Sequence, residues 1–239
     1  MSSTKRIYLW SGPRNISTTL MYSFAQRSDT KVFDEPLYGH YLSKTNAKRY
    51  HPSARRIIDS MECSGQKVIH LMTGDDSAEV LFFKNMTHHI LDLDKSFMNK
   101  GINVILTRDP EDMLPSFHKV IPNPNLNDVG YKAHVDLINE FEENDIDYLV
   151  MDSKMILENP EHELTRLCKL VNIPYCEEML SWPAGARAED GVWANHWYHN
   201  VHNSTGFMKY QKKKEEFPSE LLPLLEECKF LYKQLMNKI

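Results

Sequence analysis

The segment between residues 6 and 19 constrains the fold more than any other part of the chain. The run Arg-Ile-Tyr-Leu-Trp at residues 6–10 predicts a β-strand, and the Ser-Gly-Pro that follows predicts a sharp turn. Ser17 and its hydroxyl-bearing neighbours then begin a helical pattern that reaches residue 27. A strand, a tight loop and a helix N-terminus in this order can cradle an anion with backbone N–H groups and the helix dipole. The alternative is an ordinary turn with a Ser/Thr N-cap.

This loop differs from the Walker A loop of nucleoside triphosphatases. The Walker motif has a glycine, four further residues and then Gly-Lys-Ser/Thr. Here Gly12 is followed by Pro13 and Arg14, and no lysine is present in the loop. The sequence therefore disfavours a loop that wraps a triphosphate with magnesium. Arg14 and the hydroxyl groups favour a phosphate or sulfate.

A second candidate anion site begins at Arg108. The run at residues 101–107 predicts a buried strand, and Asp109 and Pro110 predict a helix start directly after it. Ser116 lies two predicted turns into that helix. Ligands of open α/β sheets bind at the carboxyl ends of the strands, which is where Arg108 is expected. The alternative is that Arg108 pairs with an acidic neighbour such as Asp109 or Glu111.

The remaining pattern alternates strands and helices. This alternation predicts a three-layer α/β/α fold with a central parallel sheet, in a single domain over residues 1–239. Residues 53–71 are ambiguous, because they fit a helix while residues 67–72 also fit a strand. Further strands are predicted at residues 31–34, 79–83, 103–106 and 146–151, a polar loop at 122–128, and helices at 131–143, 164–171 and 218–238.

The two anion segments together resemble the sulfotransferase family. In that family a Pro-Lys/Arg-Ser-Gly-Thr-Thr-like loop holds the 5′-phosphosulfate of 3′-phosphoadenosine-5′-phosphosulfate (PAPS), and an Arg-Asp-Pro…Ser segment holds its 3′-phosphate. The resemblance implies a fold like that of P-loop nucleoside triphosphate hydrolases, with PAPS as cofactor and the desulfated bisphosphate (PAP) as product. It implies cofactor contacts at Pro13, Arg14, Asn15, Ile16, Ser17, Thr18, Thr19, Arg108 and Ser116. Asn15-Ile16 departs from the Ser-Gly that is common in this loop.

Glu35 is the leading candidate for the base that accepts the acceptor's proton. It follows the predicted strand at residues 31–34, and several sulfotransferase branches that resemble this chain carry a catalytic glutamate there. Pro36 is expected to fix the turn. Arg14 is the expected electrostatic catalyst, because an arginine holds its proton and cannot act as an acid. His88 and His89 are the alternative bases. In a purely structural alternative, residues 34 and 35 simply start the next helix.

Aromatic residues are dense between residues 185 and 206. Trp193 and Trp197 stand among several histidines and a tyrosine. The resemblance implies a C-terminal loop that folds over the nucleotide, and Arg187 is the candidate for contact with the 3′-phosphate. The aromatic rings can line an acceptor pocket, stack on adenine or hold an amino group by cation–π attraction. The alternative is a buried aromatic cluster without a binding role.

The composition narrows the function further. The net charge of −5 disfavours a large nucleic-acid footprint, and no apolar run is long enough to span a bilayer. No Cys-x-x-Cys pair is present, so no metal site is predicted, and the cysteines suggest reduced thiols in a cytoplasmic protein. No partner beyond a small-molecule acceptor is expected. Monomers and dimers both occur in the family, which leaves a homodimer open.

The sequence thus predicts a PAPS-dependent sulfotransferase that acts on a small-molecule hydroxyl or amine. The chain as a whole, including the aromatic segment, resembles a divergent sulfotransferase-like branch, some members of which adjoin aminotransferase-like domains. That association suggests an amino acid, hydroxy acid or other small metabolite as acceptor. Two alternatives stay open: a noncatalytic nucleotide-binding or scaffold protein of the same fold, and a small-molecule kinase. Asp152, after a predicted strand, would be the kinase's metal aspartate.

Overall fold

The computed structural model describes residues 4–212 and 216–239 and has a central sheet of parallel strands. The order in the sheet is β2-β3-β1-β4-β5, and every neighbouring pair is parallel. The α/β prediction is confirmed. The strands are β1 (Lys5–Ser11), β2 (Thr30–Asp34), β3 (Val80–Met86), β4 (Ile102–Thr107) and β5 (Tyr148–Asp152).

Helices cover both faces of the sheet. They are α1 (Ser17–Phe24), α2 (Tyr38–Lys44), α3 (Ala54–Ser60), α4 (Gly65–Thr73), α5 (Pro110–His118), α6 (Leu126–Val129), α7 (Tyr131–Glu143), α8 (Ser153–Glu158), α9 (Pro160–Val171), α10 (Ala194–Trp197), α11 (His199–His202) and α12 (Leu222–Met236). Short 3-10 turns lie at Asn46–Arg49, Thr87–His89, Ser96–Lys100, Glu177–Leu180 and Ser219–Leu221. Within the described residues, no helix combines the length and apolar character that crossing a bilayer requires.

The strands divide their side chains between two cores. Ile7 and Leu9 of β1 point into a core shared with α1, α2, α8 and α9, whereas Tyr8 and Trp10 point into a core shared with α4, α5, α7 and α12. This alternation follows from the two-residue repeat of a strand. Because both faces are covered, the strands need apolar side chains on both sides, and β1 is buried over most of its length. The predicted three-layer arrangement is therefore confirmed.

Several predicted boundaries were wrong. The ambiguous stretch forms α3 and α4, so residues 67–72 are helical. The first helix ends at Phe24 and not at residue 27, and the polar loop at residues 122–128 contains the start of α6. The helix α9 begins before residue 164, because Asn159 caps it and Pro160 occupies its first turn.

The strand β3 extends further than the sequence suggested, which matters for the site. The prediction ended it at residue 83, but Lys84 pairs in register with Leu9 of β1 and with Asp34 of β2. From the sequence alone, a charged lysine after an apolar run indicates that the strand has ended. Here the lysine is buried in the strand because carboxylates from the neighbouring strand end surround it.

Candidate active site

A cleft of about 450 Å³ opens at the carboxyl ends of β1, β3 and β4. This edge is where ligands bind in parallel α/β sheets. The loop after β1 lines one end, and residues after β2 and β3 line the other. The predicted site residues that line it are Pro13, Arg14, Asn15, Ile16, Ser17, Thr18, Thr19, Glu35, His88, His89, Arg108 and Ser116.

The loop between β1 and α1 adopts an unusual backbone. Arg14 and Ile16 have φ values of 59° and 61°, in the left-handed region that non-glycine residues seldom adopt. Asn15, between them, anchors the loop: its Nδ2 donates to the Leu106 carbonyl at 2.9 Å, and its carbonyl accepts from Ser153 Oγ at 2.9 Å. The helix α1 starts directly after the loop and has no side-chain cap. Its first-turn N–H groups therefore suit an anion.

Two arginines meet at this end of the cleft. Arg14 donates from Nε to Ser116 Oγ at 3.0 Å and from Nη1 to the Trp197 carbonyl at 2.9 Å. Arg108 donates from Nη1 to the Arg14 carbonyl at 2.7 Å. Among the described residues neither guanidinium forms an ion pair with a carboxylate, so the alternative in which Arg108 pairs with Asp109 or Glu111 is not observed. Burial, together with the charge of Arg108, lowers the pKa of Arg14.

The other end of the cleft contains a buried charge network around Lys84. The Lys84 ammonium donates to Glu35 Oε1 at 2.5 Å, to Asp34 Oδ1 at 2.8 Å and to Tyr198 Oη at 2.6 Å. The phenol of Tyr198 donates in turn to Asp34 at 2.8 Å, and the Gly191 N–H donates to the same carboxylate at 3.1 Å. The backbone thus ties the aromatic segment directly to the strand end that carries Glu35.

The surroundings of Glu35 and Lys84 raise the pKa of both groups. Burial raises the pKa of Glu35, the Lys84 ammonium opposes that rise, and the neighbouring Asp34 adds to it. Burial also disfavours charge on Lys84, but the two carboxylates outweigh it and raise its pKa. Lys84 therefore stays protonated, and Glu35 is a stronger base than an exposed glutamate. A carboxylate with a raised pKa accepts a proton more readily than an ordinary one, which suits a general base.

His88 and His89 lie in the 3-10 turn after β3 and line the same cleft. Burial lowers the pKa of His88 to about 3 and that of His89 well below its ordinary value. Both imidazoles are therefore neutral, and they are weak bases at neutral pH. Residues 4–212 and 216–239 contain no cluster of three or more His, Cys, Asp or Glu side chains placed to hold a metal ion.

A family model described as a sulfotransferase domain matches residues 5–221. The chain belongs to the sulfotransferase domain family. The resemblance inferred from the Pro13–Thr19 loop and the Arg108-Asp109-Pro110 segment is thereby confirmed.

Two solved structures share the fold of this sulfotransferase domain. The sulfotransferase domain from the curacin biosynthetic pathway superposes with a TM-score of 0.56, at 14% identity over 99% of each chain. The sulfotransferase domain of the Synechococcus PCC 7002 olefin synthase superposes with a TM-score of 0.50, at 14% identity over 95% of each chain. At these identities the likeness concerns the fold alone.

Sequence relatives of this sulfotransferase domain occur in Arabidopsis thaliana. Branched-chain-amino-acid aminotransferase-like protein 2 is 38% identical over 228 residues, which are 95% of this chain and 40% of that protein. Branched-chain-amino-acid aminotransferase-like protein 1 is 38% identical over 241 residues, which are 100% of this chain and 43% of that protein. The chain therefore spans less than half the length of these curated relatives.

Arg187 does not line the cleft of the sulfotransferase domain. Its guanidinium pairs with Glu189 at 3.1 Å and lies over the Tyr22 ring, 5.6 Å from the centroid. Because an acidic neighbour and a ring hold this side chain, its predicted role at the 3′-phosphate does not fit its position. Lys209 lines the cleft instead, a short distance after Gly206.

Two further residues of the site, Tyr198 in the cleft wall and Asp34 behind it, received little weight from the sequence. Tyr198 was noted only as one aromatic residue among many, and Asp34 only as a neighbour of Glu35. The two side chains are 164 residues apart in the sequence, and their hydrogen bond forms only in the fold. The acidic pair at the end of a predicted strand was the available signal for Asp34. Asp152 does not line the cleft, because it caps α8 and accepts from Tyr232 Oη at 2.9 Å.

Proposed function

We propose that this domain transfers a sulfo group from PAPS to a hydroxyl or amine of a small-molecule acceptor. One observation carries the proposal: the arginine pair Arg14 and Arg108 and the carboxylate of Glu35 line a single cleft. The arginines suit the phosphates of a donor, and the carboxylate suits the proton of an acceptor. Membership of the sulfotransferase family supports the choice of donor.

The residues at the arginine end fit the two phosphate positions of PAPS. Two guanidinium groups stand close together without a carboxylate partner among the described residues, next to an uncapped helix N-terminus. Like charges brought together in this way are stabilised by an anion. In the proposed arrangement the loop at residues 13–19 holds the 5′-phosphosulfate. Arg108 and Ser116 hold the 3′-phosphate.

The chain's own residues divide the chemical work. When bound, PAPS supplies the sulfo group: a bond forms from the acceptor atom to sulfur, the bond from sulfur to the phosphate oxygen breaks, and the electron pair leaves with PAP. Glu35 takes the acceptor's proton. Arg14 and the first-turn N–H groups of α1 stabilise negative charge that develops at the 5′ end. Lys84 keeps Glu35 in place and stays protonated.

We also propose that the domain works in the cytoplasm. All four cysteines carry free thiols, as is usual for proteins of reducing compartments. This supports the predicted cytoplasmic location. The acceptor class and the homodimer stay predictions at this point.

Calorimetric titration with PAP tests the proposal. We expect PAP to bind and adenosine 5′-monophosphate, which lacks the 3′-phosphate, to bind at least about tenfold more weakly, because a charge-assisted phosphate contact contributes about 1.5–3 kcal/mol. Tighter binding of ATP with magnesium would indicate a kinase. Binding of none of these nucleotides would leave a scaffold.

An Arg108→Ala variant tests whether Arg108 binds the 3′-phosphate. It should weaken PAP by tenfold or more while leaving the affinity for adenosine 5′-monophosphate almost unchanged. Arg55→Ala is the matched control, because Arg55 is an exposed arginine on α3 that pairs with Asp59 outside the cleft. Equal losses of both nucleotides in Arg108→Ala would contradict the assignment of Arg108 to the 3′-phosphate.

A further inference from the structure

The end of the cleft around Glu35 has aromatic walls. Tyr38 and Trp193 both line it, with their ring planes at 73° and their centroids 5.1 Å apart. The His89 ring is stacked between Tyr38 and Tyr41, at 4.8 Å and 4.5 Å between centroids. Rings at steep angles to one another form adjoining walls of a compact chamber, which we call the acceptor chamber. Its lining includes Glu35, Tyr38, His51, Lys84, His89 and Trp193.

The walls of the acceptor chamber are held in place by hydrogen bonds and packing. Tyr38 Oη is 2.8 Å from His51 Nδ1, and Trp193 Nε1 donates to Tyr198 Oη at 3.0 Å. The indole of Trp193 lies so close to Gly191 that a Cβ at that position would be 2.1 Å from the ring. Rings anchored in this way lose little entropy when a ligand binds.

The buried ion-pair network at the acceptor chamber carries net negative charge. Glu35 and Lys84 line the chamber, and Asp34 lies behind them in contact with Lys84, so that the three groups sum to one negative charge. The imidazoles of His51 and His89 add no positive charge, because burial lowers the pKa of His51 to about 4 and that of His89 well below its usual value. The arginine end of the same cleft is positive. The cleft is therefore electrostatically divided, with a cationic end for phosphates and an anionic, aromatic end.

The chamber also has unused hydrogen-bonding capacity. Nδ1 of His89, a residue that is 1% exposed, has no hydrogen-bond partner among the described residues. Buried polar atoms are nearly always paired in native proteins, so an unpaired one at the wall of a cleft indicates a place for a ligand or a water.

We propose that the acceptor is a compact alcohol that carries a cationic ammonium group. This inference rests on the proposed function. The hydroxyl lies at Glu35, which receives its proton as the oxygen–sulfur bond forms, and the ammonium lies against Trp193 and Tyr38. Aromatic faces attract cations, and the attraction strengthens where water is excluded. An anionic alcohol is opposed by the net negative charge of Asp34, Glu35 and Lys84, and a neutral alcohol gains only the apolar contact.

Matched alcohols test the proposal on the full chain saturated with PAP. Choline is the cationic probe, 3,3-dimethylbutan-1-ol is its neutral isostere, and 3-hydroxypropanoate is an anionic alcohol. We expect calorimetry to give choline an affinity about tenfold higher than that of the isostere. The anionic probe should be the weakest. Equal or tighter binding of either other probe, or no binding of choline while PAP binds, would overturn the proposal and leave the proposed function standing. Failure of PAP itself to bind would overturn both.

Variants separate the cation contact from general packing. Tyr38→Leu and Trp193→Leu should each weaken choline several-fold more than they weaken 3,3-dimethylbutan-1-ol. Phe230→Leu is the control, because Phe230 is a 69% exposed ring on α12 outside the cleft. PAP affinity reports whether each variant is folded, so Tyr38→Leu carries the test if Trp193→Leu fails to fold. Equal losses for the two alcohols would show that the rings supply only apolar contact.

Discussion

Glu35 has a backbone conformation that glutamate seldom adopts. Its φ is 48°, its N–H donates to the Lys84 carbonyl at 2.7 Å, and its own carbonyl accepts from the Tyr38 N–H at 2.9 Å. The residue therefore sits in a strained turn between β2 and α2, outside the helix itself. A left-handed non-glycine residue costs about 1–3 kcal/mol, and such strain persists where the surrounding structure enforces it. The strain aims the carboxylate into the cleft, which supports a functional role for the side chain.

Glu35→Gln should abolish most of the sulfo transfer without affecting PAP binding. The amide cannot accept the acceptor's proton, so we expect turnover to fall by about a hundred- to ten-thousandfold. In the parent protein, activity should rise with pH as Glu35 loses its proton, and burial places that rise above the usual range of a carboxyl group. Steady-state rates between pH 5 and 8 measure both effects.

A matched substitution controls this experiment. Glu111→Gln changes a partly exposed carboxylate that pairs with Lys229, and it should leave turnover unchanged. If Glu35→Gln retained full turnover, Glu35 would not be the base. His88 and His89 would then become the candidates.

Lys84→Met should destabilise the fold strongly. The substitution leaves Asp34 and Glu35 as neighbouring buried carboxylates without a cation, and loss of one partner from a buried ion pair costs about 3–5 kcal/mol. Urea unfolding measures the loss. The double variant Lys84→Met with Asp34→Asn should recover part of the stability, because one carboxylate is gone.

The surface offers a comparison for Lys84. Lys229 pairs with Glu111 at 2.6 Å, with each side chain more than 40% exposed. Lys229→Met should change the free energy of unfolding by less than about 1 kcal/mol. Similar losses for the two variants would mean that the Lys84 network contributes no more than a surface pair.

At the scale of elements, the stretch from Gly191 to α11 joins the two ends of the cleft. The Trp197 carbonyl accepts from Arg14 at the phosphate end, and Tyr198 donates to Asp34 at the acceptor end. The Gly191 N–H holds the same Asp34 carboxylate. This short segment therefore contacts both Arg14 in the loop after β1 and the Asp34 carboxylate at the end of β2.

Gly191→Ala should displace Trp193 and impair acceptor binding. The added Cβ would meet the indole at 2.1 Å, and the three nearest atoms all belong to its six-membered ring. We expect the acceptor KM to rise several-fold more than the Kd for PAP. Combining the change with Trp193→Phe, whose ring is shorter, should restore part of the loss. An unchanged acceptor KM in Gly191→Ala would show that the position of Trp193 does not matter for the acceptor.

Local sequence patterns predicted some helices and strands accurately and missed the bounds of others. The helix α7 was predicted with its observed bounds and β1 within one residue at each end, because an apolar period and clear turn residues marked them. The C-terminal end of β3 could not be predicted, since burial of Lys84 depends on Asp34 of β2 and on Glu35 in the turn that follows β2. The helices α6 and α9 begin at N-caps formed by Asn125 and Asn159. The spacing of apolar residues does not reveal these caps.

The residues of the candidate site that belong to local sequence motifs were predictable. Arg14, Arg108, Ser116 and Glu35 lie at the ends of predicted strands or in the helix that follows, and the parallel sheet brings all four to one cleft. The C-terminal contribution was not predictable, because a loop without a periodic pattern gives no sign of which basic residue faces inward. Arg187 was chosen there, whereas Lys209 lines the cleft.

At the scale of the whole molecule, buried neutral histidines make stability depend on pH. Burial lowers the pKa of His88 and of His134 to about 3 and that of His51 to about 4. The unfolded chain takes up protons near pH 6.5, but the folded protein does not. These lowered pKa values therefore contribute stability above pH 6.5 that is lost as the pH falls toward 3. Each of these three histidines lowers the free energy of unfolding by about 2 kcal/mol at pH 5 relative to pH 7.

Urea midpoints at pH 7.5, 6 and 5 measure this dependence. We expect a steady fall, and His134→Gln should make it shallower by removing one of the buried imidazoles. The exposed His199→Gln should leave the slope unchanged. A flat profile between pH 7.5 and 5 would contradict the neutral state of the buried imidazoles.

The central position of β1 has a consequence for synthesis on the ribosome. This strand precedes all the others along the chain, yet its two neighbours are β3 and β4, and Lys5 pairs with Val80. The apolar segment from Ile7 to Trp10 therefore leaves the exit tunnel long before any strand that can pair with it. A nascent chain of this topology cannot close its sheet progressively from one edge. Its first strand must be shielded, by a chaperone or by transient collapse, until the middle of the chain has been translated.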